Sequence, residues 1–261
     1  MILEVDNISK YFGGIAALDN VSLEFNSGLV TAIIGSNGSG KTTLFNVIAG
    51  FLKPDCGVVR LIGDSTTYSR DSRVLTCLKP YEIARHGVGV LFQNIRVFHN
   101  LSALENVAVA ARLQPGENVI TGFLRPSFVA NAENVNLDSA WHYLDFVGLS
   151  DKAHIWAGNL SYGQQKLLAL ARLLASDAKV LLLDELTSGV HPGTVDKLLR
   201  LIKVLANDHD RVVIMIEHNY NVVQQVGDGV YLMANGCVEA YGKPAEIILR
   251  NDSHKSTMLS T

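Results

Sequence analysis

The segment Gly35-Ser36-Asn37-Gly38-Ser39-Gly40-Lys41-Thr42-Thr43 satisfies the pattern G-x-x-x-x-G-K-[ST]. An apolar run from Leu29 to Ile34 precedes it and a helical pattern follows, so context agrees with spacing. Glycines let the backbone approach an anion and wrap it, with successive N–H groups pointing inward and the next helix presenting its positive N-terminal end. Lys41 adds a mobile positive charge for the β and γ phosphates of a nucleotide. The Thr42 hydroxyl suits Mg²⁺, a hard cation that prefers oxygen ligands, and Thr43 completes the segment. A second pattern, Val180-Leu-Leu-Leu-Asp184-Glu185, is an apolar strand ending in two carboxylates. Asp184 is placed to hold Mg²⁺ through water, and Glu185 to orient an attacking water as general base or by hydrogen bonding. Many strands end in acidic residues, so this pair draws its meaning from the phosphate loop upstream. Together the two patterns imply hydrolysis of a nucleoside triphosphate.

Such residues need strands to carry them and helices to cover the strands. Short apolar runs at Leu29 to Ile34, Gly89 to Phe92, Val180 to Leu183 and Val212 to Ile216 read as strands buried on both faces. Between them lie helical patterns such as Val195, Leu198, Leu199, Ile202 and Leu205, which share one face. Strands alternating with helices predict an α/β fold. The first forty residues mix polar and apolar types, with Gly13-Gly14 and Ser27-Gly28 as turn signals, and predict antiparallel hairpins joined by a strand at residues 56 to 63. From about residue 95 the chain turns polar and helical, broken at Pro115-Gly116 and Arg125-Pro126, as an inserted helical lobe would be.

Composition narrows the class. The chain has 261 residues, 48% of them hydrophobic, enough for a substantial core. Its net charge of −3 provides no basic field for nucleic acid. Cys56, Cys77 and Cys237 form no CxxC pair and read as reduced, structural thiols. The opening MILEVDNISKYFGG lacks the layout of a secretory signal, and no apolar run approaches the roughly 18 residues of a spanning helix. The expectation is a cytoplasmic chain, free to dock on a membrane protein.

The rest of the site is identified through a resemblance to ABC transporter ATPases, which covers nearly the whole chain. Leu160-Ser161-Tyr162-Gly163-Gln164-Gln165 resembles that family's LSGGQ signature, with Tyr162 where the family usually has glycine. The family uses this motif in trans, which implies that Ser161, Gly163, Gln164 and their helix contact a γ phosphate held by a second subunit. The residues alone read as an N-cap serine opening an amphipathic helix. Gln93, after the strand at Gly89 to Phe92, resembles the family's Q-loop glutamine, a ligand of Mg²⁺. His218 resembles its switch histidine. Phe12 aligns with the aromatic that stacks on adenine, with Tyr11 as the alternative. Leu186 stands where the family generally has proline and His191 where it has aspartate, a position that links the two subunits' sites.

The resemblance implies the P-loop ABC ATPase fold: a RecA-like core, an N-terminal antiparallel β subdomain and an inserted helical subdomain. The chain then divides into residues 1–94, 95–165, 166–250 and a frayed tail at 251–261. ATP and Mg²⁺ are the implied ligands. The implied partners are membrane-spanning permease subunits, a second ATPase subunit (a copy or a paralogue) and an extracytoplasmic solute-binding protein. YFGG near the start, LSYGQQ and TGFLRPSF (Thr121 to Phe128) are similar to branched-chain amino acid importer ATPases. Other ABC transporter ATPases (urea, amide or exporter types) and a non-transport regulatory ABC ATPase stay open as alternatives.

Overall fold

The computed structural model describes residues 1–63, 72–111, 126–207 and 211–249, without the side chains of 126–128. The turn expected at Pro115-Gly116, the tail after Arg250 and all of Thr121 to Phe128 except the backbone of its last three residues lie outside them. The chain forms two compact units. One takes in Met1–Val90, Lys179–Thr187 and Leu199 onward; the other Leu91–Ala178 and Ser188–Leu198.

The first unit carries an antiparallel sheet of β1 (Ile2–Phe12), β2 (Ile15–Asn26), β4 (Cys56–Ile62) and β5 (Ser72–Val74), in the order β2-β1-β4-β5. Gly13 and Gly14 both have positive φ, 54° and 89°, and make the tight β1–β2 turn in a conformation that glycine adopts without strain. A second sheet has the order β10-β9-β3-β8-β7-β6, from β3 (Val30–Ile34), β6 (Val88–Leu91), β7 (Val180–Asp184), β8 (Val212–Ile216), β9 (Gly229–Ala234) and β10 (Cys237–Gly242). Strand β3 runs parallel to both β8 and β9, and β7 parallel to β8. Strands β3 and β8 are buried at every residue, as their unbroken apolar runs predict, whereas the edge strand β6 is fully buried only at its two ends.

The β9–β10 hairpin is not among the expected elements. Its signal is the Asn235-Gly236 pair, whose φ values of 49° and 79° give the two-residue turn that this dipeptide favours. One hydrophobic cluster joins the sheets: Leu3, Val5 and Phe25 pack with Ile33, Leu182, Ile214 and Tyr231. Burying each such side chain is worth about 2 kcal/mol.

In the second unit, α3 (Ala103–Ala108), α4 (Pro126–Phe146) and α5 (Tyr162–Ala175) pack together, following α1 (Lys41–Ile48) and α2 (Pro80–Arg85) in chain order. On α5 the buried residues Leu167, Leu170, Leu174 and Ala171 recur at helical spacing. Asn106, fully buried on α3, accepts from the Phe98 amide and donates to three carbonyls, Phe98, Leu101 and Ser102, so it pins the loop before its own helix.

Candidate functional site

Strand β3 delivers the chain to the phosphate loop, and α1 takes it away. Both turns depend on glycine. A Cβ on Gly35 would lie 2.1 Å from the Met233 carbonyl oxygen, and one on Gly40 2.5 Å from that of Ala17. The first helical residue is Lys41, and Gly40 at the N-cap offers no side-chain acceptor to the first-turn amides. These amides keep the free N–H groups that a helix start leaves unpaired.

Lys41 is almost fully buried. Its Nζ donates to the carbonyls of Gly35 (3.0 Å) and Ser36 (2.8 Å) and to Ser39 Oγ (3.1 Å). Burial pushes its pKa below the usual lysine value, while the carboxylates of Glu185 and Asp184 pull it back. The ammonium is thus held by weak neutral acceptors, ready to exchange them for a stronger anion.

Strand β7 ends at Asp184, and Glu185 follows with φ 45°, a left-handed conformation uncommon for a residue with a side chain. The Glu185 amide donates to the Ile216 carbonyl at the end of the neighbouring β8 (3.0 Å), and its Oε1 lies 2.9 Å from His218 Nε2. Buried Glu217, between them in the chain, accepts from both the amide and the hydroxyl of Thr187. It ties the segment after Glu185 to the segment before His218. Neither Glu217 nor Ala17 was legible as a site residue, since neither belongs to a motif.

These elements enclose a cleft of about 280 Å³ lined by Ala17, Asn37, Gly38, Gly40, Lys41, Thr42, Thr43, Glu185 and His218. Eight of the residues expected from the sequence therefore meet on one surface, with Gly35, Ser36 and Ser39 beneath it as partners of Lys41. Phe12 and Tyr11 are exposed at the tip of the β1–β2 hairpin, opposite Ile15 and Ala16 in register.

The remaining expected residues belong to the helical unit. Gln93 follows β6. Ser161 is the N-cap of α5: its Oγ accepts from the Gln164 amide (3.3 Å), and the Gln164 side chain accepts from the Ser161 amide (2.9 Å). Gly163 has Thr194 against it, with 3.1 Å to the nearest atom from an added Cβ. The three departures from the family pattern each sit in a satisfied setting. Leu186 is fully buried; Tyr162 lies under the Lys166 ammonium, 5.4 Å from its ring centroid, and that ammonium donates to the Ser188 carbonyl at 2.9 Å. His191 caps the next helix, α6 (Pro192–Asn207): Nδ1 accepts from the Gly193 amide, and its carbonyl accepts from Thr194 and Val195.

Comparison with known proteins agrees with this arrangement. Residues 18–188 match the ABC transporter family. The chain is 35% identical over 246 residues to the high-affinity branched-chain amino acid transport ATP-binding protein BraF of Pseudomonas aeruginosa, covering 94% of this chain and 93% of that one. Among solved structures, a nucleotide-free ATP-binding cassette from an ABC transporter superposes with a TM-score of 0.78 at 33% identity, over 95% of each chain. A dimeric cassette in a post-hydrolysis state, bound to ADP and Pi, superposes at 0.72 with 27% identity, over 93% of this chain and 98% of that one. Similarity of that length, in sequence and in fold alike, means that this chain belongs to the ABC transporter family, as one of its ATP-hydrolysing cassettes.

Proposed function

We propose that the chain is the ATPase subunit of an importer for branched-chain or related amino acids, working as a sandwich of two cassettes beneath separate membrane-spanning permease subunits. The observation that carries the chemistry is the cleft, which gathers a buried lysine, an uncapped helix start and a glutamate–histidine pair 2.9 Å apart. ATP lays its triphosphate along Asn37 to Thr43. Lys41 then exchanges the Gly35 and Ser36 carbonyls for phosphate oxygens, and the free amides at the start of α1 receive the rest of the charge.

Mg²⁺ fits the donors present. Among the described residues no three His, Cys, Asp or Glu side chains gather into a cage, so the Thr42 hydroxyl and Asp184 would share the ion with phosphate oxygens and water, and Gln93 is assigned as a further ligand on the family resemblance alone. Bound there, the ion would neutralise charge on the transferring phosphoryl group. Glu185 orients the attacking water and accepts its proton; His218, 2.9 Å away, holds the carboxylate and contacts the γ phosphate. Ser161 and the start of α5 face the nucleotide of the second cassette, so that ATP closes the pair and hydrolysis reopens it.

Transport as the purpose, and the solute class, rest on the relatives: BraF is by name a branched-chain amino acid transport ATP-binding protein. On the same likeness to transport ATP-binding proteins we assign the pathway to partner chains and this chain to the cytoplasmic face, as a peripheral subunit; among the described residues no helix is long and apolar enough to cross a membrane. An extracytoplasmic solute-binding protein completes the system.

The test is Glu185→Gln, which keeps the shape of the site and removes the charge. We expect ATP affinity close to wild type, ATPase activity lowered about a hundredfold or more, and an ATP-dependent dimer in size-exclusion chromatography. A monomer with undiminished turnover would refute the mechanism. Affinity capture from solubilised membranes should bring down two permease subunits, and their absence would refute the transporter assignment.

A further inference from the structure

The tip of the β1–β2 hairpin has support from one strand only. β1 pairs with β2 as far as Phe12↔Ile15, but its pairing with β4 stops at Ser9↔Cys56. Lys10, Tyr11 and Phe12 therefore run past the end of β4 with their other edge open. Asp55, immediately before β4, fills that place. Its amide donates to the Ser9 carbonyl (2.9 Å), its Oδ2 accepts from the Tyr11 amide (2.8 Å), and its Oδ1 pairs with Lys10 Nζ (2.9 Å). The Lys10 ammonium lies 5.7 Å from the Phe12 ring centroid, so one carboxylate holds the backbone of one exposed aromatic and, through a cation, the ring of the next.

Tyr11 and Phe12 are each about half exposed, at 46% and 49%, and their strand partners lead directly to Ala17 on the wall of the cleft. Two half-exposed aromatic rings near a phosphate site are suited to stacking on a flat base. Such a platform works only if its angle is held, and a hairpin tip is ordinarily among the more mobile parts of a fold. Surface ion pairs contribute little to global stability, so the clasp is better explained by what it holds than by what it adds to folding. The Tyr11 amide and Lys10 together keep the Asp55 carboxyl below its ordinary range, consistent with a clasp that stays charged.

We propose that Asp55 is a positioning residue for the nucleotide base, setting the Tyr11–Phe12 tip as the surface on which the base stacks. The proposal rests on the ATP-binding reading above and adds a base-directed role for a residue outside the phosphate loop.

The experiment compares two ligands by isothermal titration. ATP engages the loop and the tip, whereas inorganic triphosphate engages the loop alone. Asp55→Ala should weaken ATP binding by about five- to tenfold and leave triphosphate binding unchanged, as expected if part of a base-stacking contact is lost. Asp55→Asn keeps an acceptor for the Tyr11 amide and should restore ATP affinity to within about twofold of the wild type. Phe12→Ala and Tyr11→Ala, each added to Asp55→Ala, should cost less than in the wild-type background, because the platform is already disturbed. Unchanged ATP affinity in Asp55→Ala overturns the clasp, as does an equal loss for both ligands in a protein whose thermal melting is unaltered. If Asp55→Ala misfolds, the Asp55→Asn comparison and the additivity of Lys10→Gln with Phe12→Ala decide in its place; full additivity overturns the proposal. A wild type that binds neither ligand overturns the ATP-binding reading itself.

Discussion

Two helices of this molecule begin at candidate phosphate contacts, and they begin differently. Helix α1 opens after Gly40 with no side-chain cap, its first-turn amides unclaimed and a buried ammonium beside them. Helix α5 opens at Ser161 with a complete reciprocal cap, Ser161 to the Gln164 amide and Gln164 back to the Ser161 amide. A glycine start is unfavourable by only about a few tenths of a kcal/mol relative to a side-chain-capped one, and here the close backbone packing of Gly35 and Gly40 holds it in place. The difference is one of division of labour. The start of α1 relies on a ligand to satisfy it, so binding and local stability are coupled there. The start of α5 is satisfied within its own chain and presents a finished surface to whatever meets it.

The largest expected effect follows from the open end. Lys41→Ala should remove measurable Mg-ATP binding by isothermal titration; near wild-type affinity would mean that the loop holds no phosphate. Because burial lowers the Lys41 pKa, its charge is lost with rising pH before that of an ordinary lysine at 10.5. Between the lowered value and 10.5 the unfolded chain binds the extra proton, so the free protein gains stability with pH in that window while ATP affinity falls. A pH series of titrations in which affinity held constant to 10.5 would contradict this.

The capped end makes an intermediate prediction that separates capping from anion contact. Ser161→Ala should cost about 1 kcal/mol of stability by thermal or chemical melting. Ser161→Asp, an equally good cap, should melt like the wild type yet lose most ATPase activity, because it sets a negative charge where the partner's phosphate is expected. Full activity in the aspartate variant would show that α5 is only a structural helix.

The smallest effect belongs to His191. Its ring accepts from the Gly193 amide at the start of α6, a role that aspartate fills as well, with a charge better matched to a helix start. His191→Asp should therefore raise stability by about 0.3–1 kcal/mol and leave a pH–rate profile superimposable on the wild type after scaling. A pH dependence near neutrality present in the wild type and absent from the variant would instead place His191 in the coupling between subunits.

Much of this comparison is legible in the sequence. The phosphate loop, the acidic strand end of β7 and the cap at Ser161 are local patterns, in which residues a few positions apart act on one turn of backbone. Buried strands were readable for the same reason, though the edge strand β6 shows how an apolar run overstates burial where no neighbour follows. The β9–β10 hairpin carried its signal in Asn235-Gly236, set between short runs that no strong alternation announced.

The sequence by itself determined the chemistry on offer: a glycine-rich loop can approach an anion, a lysine can balance it, and a carboxylate at a strand end can orient water. Only the tertiary structure decided which distant residues support that chemistry. Asp55 reaches Lys10 and Tyr11 across 45 and 44 positions, and Glu217 reaches Thr187 across 30. Glu185 meets His218 because β7 and β8 lie side by side in parallel, a neighbour relation set by sheet order and register. Such contacts leave no periodic trace, since their partners are chosen by how strands pair and by the one packing that buries both sheets in a common core.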